Sequence, residues 1–391
     1  MKRHILPTII IAQFCCTSLW FAGNGVMEDL RLTFGLPEAA LSNLTAAVQF
    51  GFICGTLTFA LLTIADRFSP SKVFFWCALA GALFNLGVLW PSNSLFSLVG
   101  FRALTGFALA GIYPIGMKIA ADYYQKGLDK SLGFLVGALV LGTAFPHLVK
   151  GFTGDLPWRL VLLVTSGIAV LGGCSMLFFV PDGPFRKPGL PTDLKLVGSI
   201  FKNQGFRAAA FGYFGHMWEL YAFWAFAPTV LGYFSQTFAE NGLSVPLWSF
   251  AIIGVGSIAC VVGGYLSARR GPRIMATIFL SFSGICCLLS PMVYSSGEPI
   301  LFLAFLLFWG LVVIADSPLF STMVAHNADP ELKGTALTIT NCIGFAITIV
   351  SIQLLGRLEP MISPAYLFLI LAIGPAFGLW ALHRIPLKTD G

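Results

Sequence analysis

FGHMWELYAFW, residues 214–224, sits inside an apolar run from about Gly205 to about Phe234. His216 and Glu219 are three apart, so on a helix they share one face. In a soluble helix they would mark the wet side. In a hydrocarbon core an ionised side chain costs at least about 2.5–3.5 kcal/mol, so it needs a cavity, a partner or a pathway.

Composition decides between the two settings. Of 391 residues, 57% are hydrophobic and 10% charged, and the mean hydropathy is +0.84. Soluble domains carry about 25% charged residues, so this chain cannot cover a soluble surface. Its apolar runs are long enough to cross a bilayer core of about 30 Å. The expected spans are 5–27, 40–64, 73–91, 95–120, 130–151, 159–180, 206–234, 247–267, 274–294, 299–325, 334–356 and 364–384, which makes twelve. An even count puts both termini on one side. Most of the 23 Lys and Arg fall on that side, leaving Arg31, Lys150, Arg159 and Arg357 outside and Arg102 within a span. Basic residues mark the cytoplasmic side. Both termini are therefore expected in the cytoplasm, and the short loops favour a bacterial inner membrane. The net charge of +6 reports this topology and does not point to nucleic acid. MKRHILPTIIIAQFCC (1–16) starts like a signal peptide but lacks a cleavage site, so it reads as the first membrane helix. All nine cysteines fall within spans, without metal-site or disulfide spacing, and read as packing residues.

The longest polar stretch, PDGPFRKPGLPTDLKLVGSIFKNQ (181–204), divides the chain. The expected units are 1–180, a cytoplasmic linker 181–205, and 206–391. Residues 193–203 have the pattern of a short amphipathic helix on the inner surface. The halves look related. LLTIADRFSPSK (61–72) matches GGYLSARRGPR (263–273), and GFALAGIYPIG (106–116) matches GLVVIADSPLF (310–320). The offsets are 202 for Arg67 to Arg269 and 204 for Pro114 to Pro318. Two offsets near half the chain point to a duplicated six-helix unit.

On these features the chain resembles the major facilitator superfamily over nearly its whole length. Asp66, Arg67 and Lys72 match that family's loop motif in the first copy, and Gly264, Arg269, Gly271 and Arg273 match it in the second. Leu62 and Ala268 depart from it. Arg102 in RALTGFALAG (102–111) matches the family's buried arginine. Gly133, Gly142 and Gly151 match the antiporter helix only in part, since FPHLVKG (145–151) replaces its Gly-Pro pair. The resemblance implies an all-α membrane fold of twelve helices in two pseudo-symmetric six-helix bundles. It also implies transport by alternating access, with Asp66, Arg67, Arg269 and Arg273 gating at the inner side.

Glu219 is the leading candidate for proton coupling, with His216 as its partner and Asp316, just before Ser317-Pro318, as a second protonation site or the partner of a basic residue. Arg102 has the planar fork that suits oxyanions, or else bonds backbone carbonyls. His147 and Lys150 read as an outer vestibule for anions or as interfacial anchors. Asn24, Gln49, Tyr113, Trp218, Tyr221, Trp224 and Asn341 are candidates to complete a cavity. No Gly-x-x-x-x-Gly-Lys-Ser/Thr loop is present, so ATP is not expected to drive the protein, and no cofactor, metal or enzymatic chemistry is expected. The expected partners are a small solute, protons and the lipid bilayer, with no nucleic acid and a monomeric state. The expected function is proton-coupled transport of a small solute, leaning to an anion because of Arg102, His147, Lys150 and His216. FGHMWELYAFW is also similar to facilitators placed near the nitrate/nitrite porters, although their glycine-rich helices are missing. Proton-driven efflux of drugs or lipophilic metabolites, including siderophore-like compounds, is the alternative. A sensor or assembly factor that moves nothing is a third reading.

Overall fold

A computed structural model describes residues 4–124, 128–154, 156–186, 197–239, 242–329 and 332–384. Every regular element among them is helical. Lipid offers no hydrogen bonds to a peptide group, and a helix satisfies its own. In chain order the helices are α1 Ile5–Thr17, α2 Met27–Phe34, α3 Ala40–Leu61, α4 Ile64–Arg67, α5 Pro70–Gly87, α6 Leu95–Leu109, α7 Tyr113–Tyr123, α8 Leu128–Thr153 and α9 Arg159–Phe179. They continue as α10 Val197–Ile200, α11 Gln204–Phe238, α12 Val245–Gly254, α13 Gly256–Arg270, α14 Pro272–Ser295, α15 Pro299–Ala315, α16 Ser317–Asn327, α17 Lys333–Leu358 and α18 Ile373–Arg384.

Nine stretches among the described residues are long and apolar enough to cross a membrane: 40–61, 95–123, 131–153, 159–179, 245–270, 272–295, 299–327, 333–358 and 364–384. The other expected spans are helical too, as α1, α5 and the 35-residue α11. Burial is inverted relative to a soluble protein. Phe96 and Ile300 are 88% and 85% exposed, whereas Arg102, His216, Glu219 and Asp316 are 1% exposed.

Several expected spans are not single helices. The first, expected over 5–27, is α-helical only to Thr17, then runs through turns to a 3₁₀ turn at Asn24–Val26. Thr17 and Ser18 bond their hydroxyls back to the carbonyls of Gln13 and Cys15. The carbonyls of Leu19 and Trp20 go to Arg102 instead of to amides one turn on. The spans expected at 95–120 and 299–325 each break in the middle, at Ala110–Ile112 and at Asp316. Pro114 and Pro318 follow these breaks at the same place in each second segment. Proline has no N–H to give the preceding turn. The expected 247–267 span divides at Val255, and the last begins as a 3₁₀ stretch, Pro364–Ala372. Pro375 lacks the N–H that the Leu371 carbonyl would take in an α-helix. Of the amphipathic helix expected over 193–203, the structure shows a single helical turn, α10, while 201–203 are not helical and 193–196 lie outside the described residues.

Helices α1, α3, α5, α6, α8 and α9 pack among themselves, as do α11, α14, α15, α16, α17 and α18. The two sets meet along two seams, α3 against α17 and α8 against α12 and α13. Asn43 Oδ1 accepts from Gln353 Nε2 at 3.1 Å across the first seam. Within the second set, Gly215 lets α11 press on α18, since a Cβ there would fall 2.3 Å from the Gly374 carbonyl oxygen.

Candidate functional site

Glu219 lies on α11 with three donors around Oε1. Trp309 Nε1 on α15 donates at 2.6 Å, Cys287 Sγ on α14 is at 3.5 Å, and Ser283 Oγ on α14 also donates. Hydrogen bonds to an ionised acceptor are roughly twice as strong as neutral ones, so this pocket suits a carboxylate. The expected partnership with His216 is not formed. His216 Nδ1 instead meets Asp316 Oδ1 at 2.8 Å, where α15 gives way to α16. Asp316 thus takes the basic partner expected of it. His216 Nε2 is buried and has no hydrogen-bond partner.

Arg102 donates from Nη1 to the Leu19 carbonyl at 3.1 Å and to Asn85 Oδ1 at 3.3 Å, and from Nη2 to the Trp20 carbonyl. Its fork therefore ties α6 to the opened end of α1. Asn85 is held in turn by Ser166 Oγ at 3.0 Å. Lys150 pairs with Asp29 of α2 at 2.8 Å, which sequence reading did not foresee because 27–34 was expected to be a loop. Nearby on α2, Arg31 holds Glu28 at 2.9 Å, and that bond keeps the Glu28 carboxyl below its usual range. His147 is buried on α8, and its Nε2 has no partner.

An aromatic cluster bridges the two sets of helices. Trp20 stacks on Tyr221 of α11 at 5.8 Å and 27° between planes, and on Phe345 of α17 at 5.7 Å and 25°. Phe52 of α3 meets Phe345 at 4.5 Å. Phe21 approaches Trp224 edge-on at 6.4 Å. Gln49 joins the cluster by accepting from Trp20 Nε1 at 3.3 Å. Asn24 donates to Thr45 Oγ1 at 2.8 Å. Tyr113, opening α7, and Asn341, on α17, are half-buried. Trp218 turns away from the cluster and donates to the Ile370 carbonyl in the 3₁₀ stretch at 3.3 Å. Buried polar atoms without hydrogen-bond partners include Gln49 Nε2, Trp224 Nε1 and the hydroxyls of Thr56 and Thr340. Such orphans are uncommon in folded proteins and call for an explanation. Sequence reading found Gln49, Tyr221 and Trp224 but missed Trp20, Phe345 and Trp309, which sit in apolar runs with nothing local to distinguish them.

Around α4, Asp66 Oδ1 pairs with Lys118 of α7 at 2.9 Å. Arg186 donates to the carbonyls of Asp66 and Phe68 at 3.0 and 2.7 Å and pairs with Asp182 at 2.6 Å. The first residues of the polar stretch are thereby strapped to α4. Arg273 donates to the Leu382 carbonyl at the end of α18. Arg67 and Arg269 are exposed.

Similarity to known proteins points the same way as this arrangement. An uncharacterized transporter of Schizosaccharomyces pombe is 22% identical over 381 residues, covering 89% of this chain and 74% of that one. An uncharacterized transporter of Buchnera aphidicola is 20% identical over 182 residues, and the chain spans only 43% of that relative's length. A putative metabolite transport protein of Haemophilus influenzae is 26% identical over 152 residues, or 35% of its length. Among solved structures, the proton:xylose symporter XylE superposes with a TM-score of 0.76 at 14% identity, covering 99% of this chain and 97% of that one. The nucleoside transporter NupG superposes with a TM-score of 0.73 at 15% identity, covering 96% and 98%. Likenesses at this identity establish the fold alone. Residues 9–352 match the family description itself, and the chain belongs to the Major Facilitator Superfamily.

Proposed function

We propose that the protein is a proton-coupled secondary transporter of a small solute in a bacterial inner membrane, with twelve spanning helices and both termini cytoplasmic. Residues 1–180 rock against 206–384 about the aromatic cluster, and Glu219 and the His216–Asp316 pair take and release protons. The observation behind this reading is that three titratable side chains, each 1% exposed, are held within the second set of helices, whose α11 also carries Tyr221 and Trp224 of the aromatic cluster. Ionisable groups buried in membrane helices commonly serve proton relays and substrate pathways. The seams support the two-bundle reading. One joins the second expected span to the eleventh and the other joins the fifth to the eighth, so exchanging the halves maps one seam onto the other.

The expected anionic solute loses most of its basis. Arg102, Lys150 and His216 are engaged within the protein, which leaves only single buried nitrogens, Arg102 Nε, His216 Nε2 and His147 Nε2, without partners. The aromatic cluster suits the lipophilic solutes of the alternative reading. Asp66, Arg67, Arg269 and Arg273 are assigned to the inner gate, with Lys118 and Arg186 added as the partners that hold Asp66 and its loop.

Glu219→Gln tests the coupling. Gln keeps an acceptor for Trp309 and Ser283 but cannot carry a proton. In proteoliposomes the variant should lose flux driven by a pH gradient and keep solute exchange at equal pH. Wild-type response to the gradient removes Glu219 from coupling.

A further inference from the structure

We propose, building on the transport reading above, that the solute is uncharged and presents a flat aromatic ring with hydrogen-bond acceptors on its edge, and that it enters between Trp20 and the facing rings of Tyr221 and Phe345. Trp20 belongs to the first set of helices, whereas Tyr221 and Phe345 belong to the second. Their planes are within 27° and 25° of parallel. Parting the two sets therefore opens a slot with flat aromatic walls. Such walls hold a planar ring well, because offset stacking is favourable and each ring face is broad. A puckered saturated ring touches two flat walls through only a few atoms.

The polar edge of the slot consists of donors. Trp20 Nε1 can only donate, so the Gln49 atom that faces it is the oxygen. This leaves the Gln49 amide nitrogen, buried and without a partner. Trp224 lies 5.3 Å from Tyr221, ring to ring, and its Nε1 is likewise buried and without a partner. Two unmatched donors beside a stacking slot call for acceptors, such as a carbonyl oxygen or a ring nitrogen. Leaving them unmatched carries the full desolvation penalty.

The charge balance sets the third condition. Arg102 spends both terminal nitrogens on Leu19, Trp20 and Asn85, His216 Nδ1 faces Asp316 and Glu219 Oε1 holds three donors, so none of these groups offers a charged fork or a free carboxylate oxygen pair to a solute, and Arg102 Nε and His216 Nε2 remain only as single buried nitrogens. A charged ligand would be desolvated there without compensation. An uncharged ring meets no such cost.

The test uses the full chain in lipid nanodiscs and four probes: benzamide, uracil, cyclohexanecarboxamide and benzoate. Benzamide and uracil are flat, uncharged and carry carbonyl acceptors. Cyclohexanecarboxamide removes the flatness and benzoate adds the charge. Benzamide or uracil should raise the melting temperature at concentrations about tenfold below those needed for the other two. Trp20→Leu should weaken binding about tenfold or more, whereas Trp20→Phe keeps a stacking face and most of the affinity. Gln49→Glu, which keeps an acceptor for Trp20 Nε1 and removes the spare amide donor, should weaken it about fivefold. Equal binding of cyclohexanecarboxamide or benzoate overturns the proposal, and so does the absence of binding by both flat probes. Counterflow of the same panel in proteoliposomes separates the two readings. Exchange of only charged or saturated solutes sinks this proposal and leaves transport standing. Binding of flat probes with no exchange of any solute sinks transport and leaves the slot standing.

Discussion

His216 Nδ1 and Asp316 Oδ1 stand 2.8 Å apart, joining α11 to the point where α15 breaks into α16, with both side chains 1% exposed. Removing one partner strands the other in a buried site. Asp316→Ala should lower unfolding stability by about 3 kcal/mol. Adding His216→Ala should then cost less than it does alone, with a coupling of about 1–3 kcal/mol. Denaturation of the purified variants in detergent measures both. Strictly additive losses would show that the contact is incidental.

Trp309 gives Glu219 an indole N–H at 2.6 Å while its ring stacks on Phe223 at 4.5 Å. Trp309→Phe keeps a ring and deletes the donor. The expected loss is about 2 kcal/mol, because the bond goes to a charged acceptor. In a Glu219→Gln background the loss should fall to about half, since the acceptor is neutral. The same loss in both backgrounds would assign the effect to packing.

Arg102 serves as a clasp on the opened end of α1. Lysine has one point charge and cannot bridge the Leu19 carbonyl, the Trp20 carbonyl and Asn85 with a planar fork. Arg102→Lys should therefore destabilise by about 2 kcal/mol or more, by leaving buried carbonyls unpaired. Transport should fall to the same extent for every solute carried. A selective loss for anions, with stability unchanged, would return Arg102 to the solute site.

Gly215 crosses α18 where a Cβ would fall 2.3 Å from the Gly374 oxygen and 2.8 Å from the Gly378 nitrogen. These are backbone atoms, and they cannot turn aside. Gly215→Val should cost about 3 kcal/mol through forced separation of the two helices. A melting temperature within a degree or two of the parent's would mean that the helices part freely.

Much of this architecture can be read from the sequence, because apolar length and Lys/Arg placement act locally. The alignment of Pro114 with Pro318 was visible as an internal repeat, whereas the breaks before them interrupt spans expected to be continuous. The end of α1 at Thr17 was not visible. Its cause is Arg102, more than eighty residues away in the chain. The pairing of His216 with Glu219 failed for a geometric reason. Residues three apart on an α-helix differ by about 60° in direction, enough to face different neighbours. His216 turns to α16 and Glu219 to α14 and α15. Lys150 looked free because its partner Asp29 sits on a short helix, α2, too polar to register as a span.

His216, Glu219 and Asp316 all belong to the helices after Gln204, while Arg102 of the first set is locked to carbonyls of its own set. In a cell this division has an electrical meaning. A membrane voltage of 100 mV does about 2.3 kcal/mol of work on one elementary charge carried fully across. In the proposed cycle the charge that comes and goes sits on the second set. The pull of the field on that set therefore changes each time a proton arrives or leaves, since protonation neutralises Glu219, while the fixed charge of Arg102 feels the same pull throughout.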